Sequence, residues 1–203
     1  YTIERREVGR LRVPGLEHRV HADRAVHLDE RETEQLEGDV RRQAELGQAG
    51  PDGDVDPGRL YQLTRVEPVA QPAGIPRVAR ADECELIAEW LLAFGHETGE
   101  PTAPSVASVA GEVGRRIARG AFWLWDDGHP VSLVGVREPV AGFGRVGPVF
   151  TPPEHRGRGY AAAAVAHVSE RFIARGLGCV LYTHLDNPTS NAIYRRIGYE
   201  PIA

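Results

Sequence analysis

The chain contains neither lysine nor methionine, and all 24 of its basic residues are arginine. Many Ala, Gly and Pro residues accompany this skew, which reads as compositional drift rather than chemistry. Cysteine is nearly absent too. Cys84 and Cys179 stand far apart, with no C-x-x-C partner and no ligand spacing to histidine. That excludes a disulfide framework and a zinc motif, and it suits thiols in a reducing compartment. No run approaches the roughly 18 apolar residues of a membrane span. The opening Y-T-I-E-R-R-E lacks the apolar core of a signal peptide. A cytoplasmic protein with no membrane partner is therefore expected. A basic excess is also missing. The net charge is −5, with 14 acidic residues against 9 Arg in residues 1–56 and 15 of each sign in residues 57–203. Without a polybasic face, no nucleic-acid partner is expected.

At 203 residues there is room for one ordinary domain and an appendage, with a core large enough to be stable without disulfides or metal. Residues 1–74 read as an N-terminal lobe of unclear role, a degenerate half-domain plus linker. Within it Leu28 to Leu46 has helical charge pairs, residues 49–58 are dense in turn formers, and Arg59 to Val66 alternates like a strand. Pro68, Pro72 and Pro76 mark a second connection.

Residues 75–203 form the second unit. Residues 76–80 suggest a short strand, and an acidic helix start follows at Ala81. Leu86, Ile87, Trp90, Leu91 and Phe94 fall on one helical face, with Gly95 as the expected stop. Ser105 to Arg119 has Val106, Val109, Val113 and Ile117 on one stripe. Ala121 to Trp125, an Asp127-Gly128 turn and Pro130 to Arg137 read as a hairpin, and Gly144 to Phe150 as a further strand.

The most informative passage comes next. Pro152-Pro153 break the strand, R-G-R-G-Y-A occupies residues 156–161, and a helix from Tyr160 to Arg175 follows. Gly157 and Gly159 permit a tight turn in which several amides point at one anion, and the helix offers its positive end to the same group. Arg156 and Arg158 can add charge. Neither a G-x-x-x-x-G-K-[ST] loop nor a dinucleotide fingerprint is present, which argues against those nucleotide folds. Residues 179–184 read as a buried strand. After them comes L-D-N-P-T-S-N-A-I-Y-R-R-I-G-Y, in which Thr189 or Ser190 is expected to cap a short helix ending at Gly198.

The pair of motifs, R-G-R-G-Y-A and then N-P-T-S-N-A-I-Y-R-R-I-G-Y, resembles the cofactor-binding half of the GCN5-related N-acetyltransferase (GNAT) family. The resemblance covers about residues 75–203 and is strongest from Gly144 to Tyr199. It implies an α/β fold with a mixed central sheet flanked by helices, and dependence on acetyl-CoA. Carried over residue by residue, the backbone of Val149, Phe150 and Thr151 would pair with the pantetheine arm. The amides of Arg156, Gly157, Arg158, Gly159, Tyr160 and Ala161 would hold the pyrophosphate. Asn187 and Asn191 would line the thioester end, and Tyr194 would be the general acid. A turn or cap role competes for Asn187, and core packing competes for Tyr194.

The implied activity is acetyl transfer to a primary amine of a small molecule, peptide or protein, by a monomer or homodimer. A non-catalytic acyl-CoA sensor or interaction domain is the alternative. The strand from Arg145 to Phe150 has no carboxylate to serve as base, which leaves Glu154, His155, His184, Asp186 or a water relay. Acceptor specificity is expected from the helices between Asp82 and Arg119 and from a loop at Glu138 to Gly142.

Overall fold

The computed structural model describes residues 58–99, 103–140, 142–185 and 187–202. The expected helix at Leu28 to Leu46 and the turn-rich stretch before Gly58 lie outside these residues, as does Asp186.

The described chain forms strands β1 (Gly58–Leu63), β2 (Ile75–Val78), β3 (Phe122–Asp126), β4 (Pro130–Val140), β5 (Phe143–Phe150), β6 (Gly178–His184) and β7 (Glu200–Pro201). Its α-helices are α1 (Cys84–Thr98), α2 (Val106–Ala118), α3 (Tyr160–Ile173) and α4 (Pro188–Ile197). The sheet order is β2-β3-β4-β5-β6-β1-β7. Every neighbouring pair is antiparallel except β5 and β6, which run parallel on either side of α3. This is the mixed sheet with flanking helices that the sequence predicts.

Two cores form because the central strands alternate their apolar side chains. On one face Leu124, Leu133 and Phe150 pack with Ile87 of α1 and with Val113 and Ile117 of α2. On the other face Trp125, Val134, Val146 and Leu181 pack with Val165, Val168 and Phe172 of α3. Ala162, Ala163 and Ala164 near the start of α3 are buried, which lets its backbone lie close to the sheet. Opposite its far end, Gly144 leaves room for the Phe172 ring. A Cβ at position 144 would come within 2.5 Å of that ring. Phe172→Ala would therefore cost about 3–5 kcal/mol, the usual price of an emptied aromatic site.

Some expected boundaries move, each for a local reason. Helix α1 does not stop at Gly95, which is buried within it. It runs to Thr98, where Gly99 takes the left-handed conformation (φ 71°) and donates its N–H to the Gly95 carbonyl. Helix α4 is capped by Asn187 rather than by Thr189 or Ser190. The Asn187 side chain accepts the Ser190 N–H at 2.9 Å, and Pro188 fills the first helical position. Strand β4 continues to Val140, so most of the expected Glu138 to Gly142 specificity loop belongs to the tip of the β4–β5 hairpin. That tip lies at the opposite end of β5 from Val149.

The part of the expected N-terminal lobe that is described, from Gly58, enters this same sheet. Strand β1 fills the slot between β6 and β7, pairing from Gly58 with His184 to Leu63 with Cys179 on one side. On the other side Tyr61 faces Pro201 and Gln62 faces Glu200.

Candidate active site

The site begins where two neighbouring strands part. Parallel pairing of β5 with β6 is confined to Phe143 with Gly178, Gly144 with Cys179 and Arg145 with Val180. Beyond Arg145 the β5–β6 pairing stops, so the edge of β5 toward Phe150 has no strand partner on that side, which leaves an opening between the two strand ends. On its other side this edge is held by β4, through Val134 with Val149 and Leu133 with Phe150. Buried Ser132 on β4 adds two ties. Its hydroxyl lies 3.3 Å from the Phe150 carbonyl and 2.9 Å from the Thr151 hydroxyl. A strand edge with one side paired and one side open can accept an extended amide-bearing chain as an added strand.

The strand end leads to the loop, and the loop to the helix. A short 3-10 turn (Pro153–His155) follows Pro152, and then Gly157 and Gly159 adopt positive φ of 76° and 86°. Nothing lies within 4 Å of a Cβ built at either glycine, so the requirement is conformational rather than one of space. Gly159 caps α3 without any side-chain hydrogen bond, and the first turn carries no acidic residue. The opening amides of α3 thus have no side-chain cap, and the helix dipole there favours negative charge.

The loop side chains are already engaged. Arg156 donates from Nε to the Thr151 carbonyl at 2.8 Å and from Nη2 to both Glu97 oxygens at 2.7 Å, which ties α1 to the loop. Arg158 reaches the Glu154 carbonyl at 3.3 Å. Tyr160 is buried, and its hydroxyl donates to Asp127 at 2.7 Å. That hydrogen bond raises the Tyr160 phenol above the ordinary range. The Asp127-Gly128 turn therefore does more than connect two strands, because its carboxylate anchors the first residue of α3.

At the other end of the opening stand the start of α4 and its side chains. Asn187 is spent on the cap. The Asn191 amide nitrogen donates to the carbonyls of Asn187 (2.8 Å), His184 (3.1 Å) and Leu185 (3.3 Å). Both asparagines shape the turn from β6 into α4 more than they present unused polar atoms. Tyr194, one turn beyond Asn191, is buried among aromatic rings, 6.5 Å from Tyr61 and 6.0 Å from Tyr199. Burial pushes its phenol up to about 12, with a Ser190 hydrogen bond opposing the shift in part. The group stays protonated throughout the neutral range, as a weaker acid than an exposed phenol. Tyr199 is core, its hydroxyl 2.8 Å from that of Ser169.

Among the base candidates, Glu154 is exposed on the 3-10 turn. The His155 ring lies 5.2 Å from that of His129, tilted by 55°, and keeps its Nδ1 buried without a hydrogen-bond partner. His184 is half-buried at the end of β6, with its ring 6.4 Å from that of Tyr182. Sequence reasoning missed the Glu97–Arg156 tie, the Asp127–Tyr160 anchor and the packing of Tyr61 on Tyr194. None of the three leaves a local pattern, because each joins residues far apart in the chain.

The mixed sheet with its parallel β5–β6 pair, the left-handed glycine turn and a helix start without a side-chain cap are features of an acetyltransferase fold of the GNAT type. The family model described as "Acetyltransferase (GNAT) family" matches residues 85–199, and the chain belongs to that family. Among solved structures it is similar to a GNAT-family protein from Novosphingobium aromaticivorans. The identity is 25% and the TM-score 0.51, over 72% of this chain and 61% of that one. A GCN5-related N-acetyltransferase from Sphaerobacter thermophilus shares 21% identity at a TM-score of 0.60, over 81% of this chain and 53% of that one. The chain thus spans less than two thirds of either protein. The PaiA N-acetyltransferase from Thermoplasma acidophilum, solved in complex with coenzyme A, shares 15% identity at a TM-score of 0.51, over 62% of this chain and 89% of that one. No curated protein matches the sequence significantly. Among the described residues no helix is long and apolar enough to cross a membrane.

Proposed function

We propose that the chain transfers an acetyl group from acetyl-CoA to a primary amine of a small molecule, peptide or protein. The observation that carries this reading is the opening of β5 from β6 after Arg145 and Val180, leading straight into the glycine turn and the uncapped start of α3. The residues suit the cofactor. Extended backbone from Val149 to Thr151 would pair with its arm, and amides from Arg156 to Ala161 would bind its pyrophosphate. The carbonyls of Phe150 and Thr151 already accept one hydrogen bond each, and a carbonyl has a second lone pair for another.

Acetyl-CoA, when bound, supplies an activated acyl carbon and a thiolate leaving group. The chain's own groups do the rest. The strand amide near Val149 would steady charge on the acyl oxygen. Tyr194 would hold its proton at Oη and give it to the departing sulfur. No carboxylate lies on β5 from Arg145 to Phe150 to take the amine proton. His184, at the mouth of the opening, is the proposed acceptor of that proton, directly or through water.

The test is thiol release from acetyl-CoA with a broad panel of amines, for the wild-type chain and for Tyr194→Phe. Turnover by the wild type that falls about 100-fold in the variant supports the reading. Tight acetyl-CoA binding with no thiol release from any amine would sink it and leave the non-catalytic sensor.

A further inference from the structure

Tyr61 lies outside the family-matched residues 85–199, yet its side chain reaches the heart of the site. It sits midway along β1, opposite Leu181 on one side and Pro201 on the other, and it is fully buried. Its hydroxyl donates to Asn191 Oδ1 at 2.9 Å. Its ring packs at 6.5 Å on the ring of Tyr194, tilted by 56°. Strand β1 therefore touches two successive site residues of α4, one through a hydrogen bond and one through packing.

The geometry leaves the Asn191 amide a single workable orientation. Its nitrogen is surrounded by the carbonyls of His184, Leu185 and Asn187, and its oxygen faces the Tyr61 donor. Turning the amide over would set its oxygen against three carbonyl oxygens, which cannot donate. The Tyr61 hydroxyl thus locks the first turn of α4 onto the end of β6. Tyr194, at i+3 from Asn191, rides on that turn and shares its face. A proton donor loses effect when displaced by a fraction of an ångström from hydrogen-bond reach of the atom it serves.

We propose that Tyr61 is a positioning residue, which sets the place of the Tyr194 phenol by holding Asn191, so that the working site includes a strand that precedes the family domain. The inference rests on the reading of Tyr194 as proton donor. Tyr61→Phe keeps the ring packing and removes only the hydroxyl.

The experiment is a double-mutant cycle of Tyr61→Phe with Tyr194→Phe on the full chain. It is read in thiol-release kinetics and in the NMR of protein labelled at tyrosine Cζ. Tyr61→Phe alone is expected to lower kcat about tenfold and leave KM for acetyl-CoA within about twofold. In the Tyr194→Phe background the same change should alter the residual kcat less than about twofold, since the group it positions is gone. The Tyr194 resonance, assigned by its loss in Tyr194→Phe, should move on addition of CoA, and in Tyr61→Phe about half or more of that movement should vanish.

A purely structural role for Tyr61 predicts the opposite. The two kcat losses would multiply, the CoA-induced shift would be unchanged, and the inference would fall. If the wild type releases no thiol with any amine, the acetyl-transfer reading fails and the NMR shift alone decides the part played by Tyr61. Asn191→Ala breaks the same bond from its other partner and replaces Tyr61→Phe in the cycle should that variant not fold.

Discussion

One end of the opening between β5 and β6 offers backbone, and the other offers side chains. On the proposed reading, the useful groups from Val149 to Ala161 are strand and loop amides, set in place by two left-handed glycines and by the end of a helix. From Asn187 to Tyr194 they are an amide, a phenol and their supports, and the supports come from β1 and β6, far away in the sequence. Backbone sites answer to conformation, so substitutions there should change binding. Side-chain sites answer to position, so substitutions there should change turnover.

The largest expected effect separates the two ends most sharply. Tyr194→Phe should lower kcat about 100-fold in the thiol-release assay and leave the affinity for acetyl-CoA within about twofold. Next comes Gly159→Val, which forces a β-branched residue to φ 86°. It should weaken acetyl-CoA binding about tenfold by isothermal titration, because the loop must leave the shape that gathers its amides. A tenfold loss of kcat with affinity intact would break the comparison.

A third prediction concerns the wall beneath the side-chain end. Burial raises the Cys179 thiol from 9.0 to about 12, beside Ser169 and Tyr199. Above pH 9 the unfolded chain gives up that proton while the folded chain keeps it. The unfolded state then binds fewer protons, and stability must fall as pH rises. From pH 8 to pH 10 the thiol alone should cost about 1.4 kcal/mol, read from urea midpoints. Cys179→Ala, though less stable at pH 8, should lose correspondingly less over the same interval.

The smallest effect is at the loop rim. Glu97→Gln weakens the hold of α1 on Arg156 and frees its guanidinium for an incoming anion. Both side chains are almost half exposed, so acetyl-CoA affinity should rise only about two- to threefold, and less so in high salt.

The same contrast decides what could be read from the sequence. R-G-R-G-Y-A is legible because glycine at 157 and 159 reports a backbone shape directly, and the alanines after it report close packing. The strands and helices from Phe122 onward are legible through alternation and helical spacing for the same reason. The end of α1 was not, because Gly95 and Gly99 are both plausible stops until tertiary packing buries the first. Asn187 caps α4, a role that no spacing separates in advance from a ligand role. The least legible feature is β1, whose alternation marks a strand but says nothing of its partner. Its insertion between β6 and β7, and with it the reach of Tyr61 to Asn191, depends on contacts across the whole length of the chain.

The measurement that bears most directly on the account compares wild type, Gly159→Val and Tyr194→Phe in one series, by acetyl-CoA titration and by thiol release with the best amine of the panel. The account predicts that the glycine variant loses affinity, and that the tyrosine variant keeps affinity and loses turnover. Parallel loss of both quantities in both variants would contradict it.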